Sequence, residues 1–218
     1  MIGQLKPYKD SFYTFVYSGV KRFDALILCE GRTDAEVVKE LIRKLGIGGK
    51  KSLAITDCEG INKLYDVAAV IALLFRIFRK VKVLAVIIDA DRFGVKERLD
   101  SLTNSLSSKG LEVSQAEALL SQVFRLSLQN TAITTYVAIN AVRQYHFKKH
   151  ELEDHILKLL ELEGKISKDD VVSATTAKEY LSSKGYDVIE AVRTSAKENV
   201  SKALNHIVTL LTHVMNDP

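Results

Sequence analysis

The sequence predicts an α/β protein with a mainly parallel central sheet flanked by helices, followed by a helical C-terminal extension. Three observations carry this. Short, continuous apolar runs recur along the earlier part of the chain, as strands buried on both faces require. Most runs are followed by a stretch with apolar residues at helical spacing, the alternation that builds βαβ units. After Lys149 the strand signals stop and helical periodicity takes over.

Residues 1–22 show no clean period; Phe12, Phe15, Val16 and Val20 suggest a short helix or a docking arm. Ala25 to Cys29 is the first apolar run, and it ends in Glu30-Gly31. Thr33 with Glu36 three residues on has the form of a capping box. The helix it opens carries Val37, Val38, Leu41, Ile42 and Leu45, and Gly46 closes it. Ser52 to Thr56 reads as a second strand, and a long helix follows from about Asn62 to Lys80. Val81 to Ile88 is a third, strongly β-branched strand that ends in Asp89-Ala-Asp91. A helix from Gly94 to Lys109 is closed by Gly110, and Leu111 to Val113 forms a short strand. Ser114 with Glu117 predicts another cap, opening a helix to about Leu126, before a strand over Thr134 to Ala141. Beyond these, residues 151–162, 176–183 and 188–215 are expected to be helical. The expected organisation is an arm over 1–22, an α/β domain over 23–163 and a helical extension over 164–218.

Composition narrows the classes. The chain has 218 residues, 47% of them apolar and 27% charged, enough to bury a sizeable core without cross-links. Its two cysteines, Cys29 and Cys58, cannot form a four-cysteine zinc site and fit a reduced, cytoplasmic setting. Met1 to Lys9 is polar and unlike a signal peptide, and the apolar stretch from Val67 to Phe78 is too short to span a bilayer. The net charge of +4 permits nucleic-acid binding without demanding it.

Chemistry concentrates at two strand ends. In open α/β sheets ligands bind beyond the carboxyl ends of the strands. Glu30 follows one such end, and Asp89 with Asp91 follows another. In an extended chain residues two apart point to the same side, so Asp89 and Asp91 would together hold Mg²⁺, with Mn²⁺ as a substitute. Glu30 would complete the site or act as general acid or base. Gly31 would let a phosphate backbone come close.

These residues carry a family resemblance. The segment Leu26-Ile-Leu-Cys-Glu30-Gly31-Arg-Thr33-Asp34, with the later Val86-Ile-Ile-Asp89-Ala-Asp91, resembles the Toprim domain over residues 23–142. The resemblance implies a Toprim, Rossmann-like fold, Glu30 as catalytic acid or base and Mg²⁺ held by Asp89 and Asp91. It places Gly60 at a recurring glycine and Asp34 at a recurring acid, although an acid in a first helical turn explains Asp34 equally well. The chain departs from the pattern at Phe93, where many topoisomerases carry a third acid. Glu153 and Asp154, in a Leu-Glu-Asp element, are either a substitute or acids that favour a helix N-terminus. The chain lacks the tyrosine domain of a topoisomerase, the accessory parts of a primase and the zinc site of a recombination mediator.

Other signals read as structure. Gly46 to Ser52 resembles a P-loop but has the wrong spacing and the wrong order of strand and helix. His146, His150 and His155 read as surface residues, and His206 and His213 as packing or solvent-facing residues. The expected function is a Mg²⁺-dependent hydrolase of nucleic-acid phosphodiesters, a nuclease on DNA or RNA. The alternative is a non-catalytic nucleic-acid module whose helical tail recruits a partner or a second copy. Lys50, Lys51, Lys148 and Lys149 are the expected phosphate contacts.

Overall fold

The structure is a computed structural model that describes residues 2–4, 20–49, 51–74, 80–142 and 144–217. The predicted arm therefore lies almost wholly outside the described residues, as do Lys50 and residues 75–79 of the predicted long helix. In chain order the elements are β1 (Ile2–Gln4), β2 (Ala25–Cys29), α1 (Arg32–Leu45), β3 (Leu53–Asp57), α2 (Ile61–Leu73), β4 (Val83–Asp89) and α3 (Val95–Ser108). Then come β5 (Val113–Leu120), β6 (Val123–Leu128), β7 (Thr134–Asn140) and α4 (Leu152–Leu162). The chain ends in α5 (Ala177–Ser183), α6 (Val188–Thr194), α7 (Lys197–Ala203) and α8 (Asn205–Asn216). Single-turn 3₁₀ helices occupy Val20–Arg22 and Lys168–Val171.

The strands form one seven-stranded sheet in the order β1-β3-β2-β4-β7-β6-β5. The five strands from β1 to β7 in that order run parallel, and β6 and β5 continue it antiparallel. Both faces are covered, which is why β2 and β4 are continuous apolar runs rather than alternating ones. Ile27, Ile55, Ala85 and Tyr136 face α1 and the helices from α4 to α8. Leu26, Ala54, Leu84 and Val137 face α2 and α3. Both cysteines are buried and free. Among the described residues no helix is long and apolar enough to cross a membrane.

Two expectations need correction. The helix predicted from Ser114 to Leu126 is the β5–β6 hairpin, turned at Ser121 and Gln122. Ala116, Glu117, Ala118 and Leu119 favour a helix locally, but pairing β6 with β7 buries Val123 and Leu126, and that tertiary gain outweighs weak local propensity. The N-cap of α1 is Gly31 rather than Thr33: the Gly31 N–H donates to Asp34 Oδ2 at 3.0 Å. The C-terminal extension is helical, as expected, and packs on the sheet. Val192, Val200, Leu204, Ile207, Leu211 and Val214 belong to the same apolar core as α1 and the sheet. These side chains are thus buried inside the chain, and the change at Gly164 is one of secondary structure, not of core.

This packing makes α8 a structural necessity. Leu211→Ala is expected to destabilise the protein by about 2–5 kcal/mol, the range for deleting a fully buried leucine side chain. Denaturant unfolding measures it. A loss below about 1 kcal/mol, the size of an ordinary surface substitution, would mean that α8 is an appendage.

Candidate functional site

The parallel pairing of β2 with β4 sets Cys29 beside Ile87, so the two acid-ended strands finish side by side. The Glu30 N–H donates to Ile87 O at 3.2 Å, and Glu30 Oε2 accepts from the Asp89 N–H at 3.3 Å. The loop after β3 closes against them: the Gly60 N–H donates to Glu30 O at 2.9 Å. Gly60 has φ +116, a backbone that side-chain-bearing residues rarely adopt. Beyond these ends lies a cleft of about 310 Å³, lined by Glu30, Gly31, Thr33, Asp34, Glu59, Gly60, Asp89, Glu151 and Glu153, with Arg32, Lys149 and Lys178 as its cations. A side chain at Gly31 would meet Asp34 Oδ2 at 3.1 Å, so this glycine accommodates the carboxylate that caps α1.

Asp91 departs from its expected place. The backbone turns left-handed there, with φ 54, so the two aspartates do not project in parallel from an extended chain. The Asp91 carboxylate is ion-paired with Arg98 and lies 3.2 Å from Lys149 Nζ. Asp91 is not among the residues that line the cleft. Its backbone pairs with His150, and this bridge lays the segment that carries Lys149 and Glu151 across the cleft.

Asp89 has other partners. Its Oδ1 accepts from Asn140 Nδ2 at 2.8 Å and from the Leu152 N–H, at the start of α4, at 3.1 Å. Asn140 ends β7 and is fully buried; its Nδ2 also reaches Asp34 Oδ1 at 3.3 Å. The carboxylates need donors, so the amide nitrogen faces them and Asn140 Oδ1 faces His206 Nε2 at 2.7 Å, which therefore carries the proton. His206 stacks on buried His155 with ring centroids 4.0 Å apart. The extension thus reaches the site twice, through His206 behind Asp89 and Lys178 at the rim. The asparagine was missed because amides carry no chemistry-bearing motif. Its one signal is its position after the last parallel strand.

The electrostatics follow from crowding acids in a poorly hydrated place. Burial raises the Glu30 pKa, Asp91 adds to the rise, and the Asp89 N–H, Arg98 and Lys149 oppose it. Burial, with Glu153 and Glu30 nearby, pushes Asp34 up to about 7. Burial and then Asp34 hold Asp89 well above the usual carboxylate range. Burial and the neighbouring Glu151 raise Glu153 as well. Asp154 points elsewhere, to His150 Nδ1 at 2.7 Å; burial, Glu151 and Glu153 push it up to about 8. Among the described residues, no three His, Cys, Asp or Glu side chains are gathered closely enough to hold a metal ion directly. The donor chemistry nonetheless suits a hard cation that keeps its water: Glu30, Asp34, Asp89 and Glu153 offer only carboxylate oxygens, each with its pKa raised.

The lysines divide. Lys149 lines the cleft, and burial lowers its pKa less than its bonds to Glu151 and Asp91 raise it. Lys148 is exposed beside it. Lys51 lies at the opposite end of the sheet, before β3, where its Nζ binds Val214 O at 3.2 Å at the end of α8. Lys50 lies outside the described residues. His155 is buried rather than on the surface, and His213 stacks on Tyr136.

Fold and site together define an open-sheet α/β protein with an acidic cleft at the carboxyl ends of its parallel strands. The chain belongs to the family described as "Protein of unknown function (DUF3226)", whose model matches residues 24–137, the stretch from just before β2 into β7. This overturns the assignment to the Toprim family. Acid-ended strands are a common way for open sheets to face a ligand, so two of them do not specify a family. No curated protein and no solved structure matches the chain.

The acids give stability a definite pH slope. A carboxylate with a raised folded pKa contributes stability below its unfolded value, and that contribution is lost as pH rises through the folded value. For Asp34 the loss runs from 3.8 to about 7, and for Asp154 from 3.8 to about 8. Buried His155, lowered from 6.5 to about 4, acts in the opposite sense below 6.5. The cation-free protein should therefore lose stability between about pH 6.5 and about pH 8, and Asp154→Asn should flatten the slope. Denaturant midpoints across that interval are the measurement; a rise with pH would contradict the assignment.

Proposed function

We propose that this protein is a divalent-cation-dependent phosphodiesterase acting on nucleic acid, with Glu30 as the group that moves the proton. The observation that carries the reading is the placement of Glu30. It is a half-buried carboxylate with a raised pKa, bonded to the Asp89 backbone at the carboxyl ends of adjacent parallel strands. A carboxyl whose pKa is raised by burial is better suited to carrying a proton than an exposed glutamate.

The other residues suit the same reaction. Asp89 is held by Asn140 and the start of α4, and Glu30, Asp34 and Glu153 stand beside it in the cleft. These carboxylates would hold Mg²⁺ or Mn²⁺ largely through its water shell, because Asp91 is engaged by Arg98 and Lys149. Bound there, such an ion supplies Lewis-acid polarisation of a phosphoryl oxygen. Arg32, Lys149 and Lys178 provide the positive rim that a polyanion requires, and Lys148 extends it. One observation favours the second reading, a nucleic-acid module without catalysis: the acid expected beside Asp89 is occupied by two cations.

Glu30→Gln separates the two. In the phosphodiesterase reading this variant keeps its affinity for oligonucleotides and loses cation-dependent cleavage by about 10²–10⁴-fold, the usual share of a general acid or base. The assay is a mixed panel of DNA and RNA with Mg²⁺ or Mn²⁺. Binding without cleavage in the parent protein selects the module. Equal cleavage by parent and variant moves the proton carrier elsewhere.

A further inference from the structure

Ile2, Leu73, Phe93, Leu162 and Val172 are the exposed large apolar side chains among the described residues, and Phe93 is the aromatic one, at 54% exposure. A single exposed apolar side chain is ordinary. Three features of this one are not. It closes the turn by which the chain leaves β4 at the cleft, its N–H donating to Ala90 O at 3.0 Å. It follows the left-handed backbone at Asp91, where the chain leaves the extended conformation of the strand. Its ring is braced by the Arg98 guanidinium, which lies 4.9 Å from the ring centroid. Arg98 is itself buried and ion-paired to Asp91, and Asp91 lies 3.2 Å from Lys149, a wall of the cleft.

We propose that Phe93 is a stacking platform for an unpaired base, so that the nucleic acid taken by the acidic cleft is single-stranded. This rests on the nucleic-acid reading above and adds the form of the substrate to it. An exposed aromatic ring held by a cation loses little conformational freedom when a base lies on it, and every base has a face to offer. A duplex offers no free base face without unstacking. The backbone of the strand then follows the basic rim, with Lys149 joining rim and platform through Asp91.

The chain contains no tryptophan, so Phe93→Trp installs a lone fluorophore at the platform. Its emission should be quenched on titration with single-stranded DNA or RNA oligonucleotides, run as separate arms. Duplex, or a strand of abasic sugar phosphates, should quench it little. Phe93→Ala should weaken single-strand affinity by about five- to one-hundred-fold and leave duplex affinity and thermal unfolding unchanged, while Phe93→Tyr should restore binding. Anisotropy that reports single-strand binding with no quench in Phe93→Trp and no loss in Phe93→Ala overturns the platform and leaves the nucleic-acid reading standing. If no oligonucleotide binds at low salt with Mg²⁺ present, the nucleic-acid reading fails and the platform fails with it.

Discussion

The buried amide of Asn140 is the interaction on which the rest of the site depends. It donates to Asp89 at 2.8 Å and to Asp34 at 3.3 Å, and it accepts from His206 at 2.7 Å. Asp34 and Asp89 approach from different elements, and Asp34 adds to the rise that burial imposes on the Asp89 pKa. Without a shared donor between them, two buried carboxylates face both desolvation and mutual repulsion. The amide meets that cost only because β7 lies directly beside β4, so that Asn140 stands opposite Asp89. Sheet order and site chemistry are therefore one constraint seen at two scales.

The same constraint explains why the C-terminal helices are part of this fold. His206 reaches Asn140 only if α8 lies on the face of the sheet shared with α1, and Ile207, Leu210, Leu211 and Val214 put it there. Burial of these side chains supplies the apolar driving force for docking, and the imidazole sets the direction of the amide. His155 and His206 have lowered pKa values because burial penalises the imidazolium form. A neutral His206 donates one proton to Asn140 and adds no positive charge behind Asp89.

Much of this was legible in the sequence, for a physical reason. Strands buried on both faces must be apolar throughout, so β2 and β4 stand out, and the first charged residue beyond each marks the ligand end of the sheet. Glu30 and Asp89 were found in that way. The hairpin of β5 and β6 was not, because the Ala-Glu-Ala-Leu-Leu run beginning at Ala116 favours a helix until the neighbouring strand is in place. Asp91 was misplaced because alternation along a strand holds only while the chain stays extended, and here it turns left-handed. Asn140 and His206 are 66 residues apart, and nothing in the order of residues announces that they meet.

The mixed charge of the cleft sets the order of events that a phosphate would meet. Lys149, one of the cations that line it, is spent on Glu151 and Asp91. Arg32 is exposed and stands at the rim rather than in the depths. Deeper in, Glu30, Asp34, Asp89 and Glu153 present carboxylates to any incoming anion. Burial is the first cause of their raised pKa values, and repulsion from neighbouring acids adds to it. A polyanion alone would add to that repulsion, whereas a hydrated divalent cation would lower the energy of the acids and of the phosphate together. Cation and phosphate are therefore coupled ligands in this proposal, each improving the site for the other. The basic rim would bring the strand to the cleft, while entry into its depths would depend on the ion.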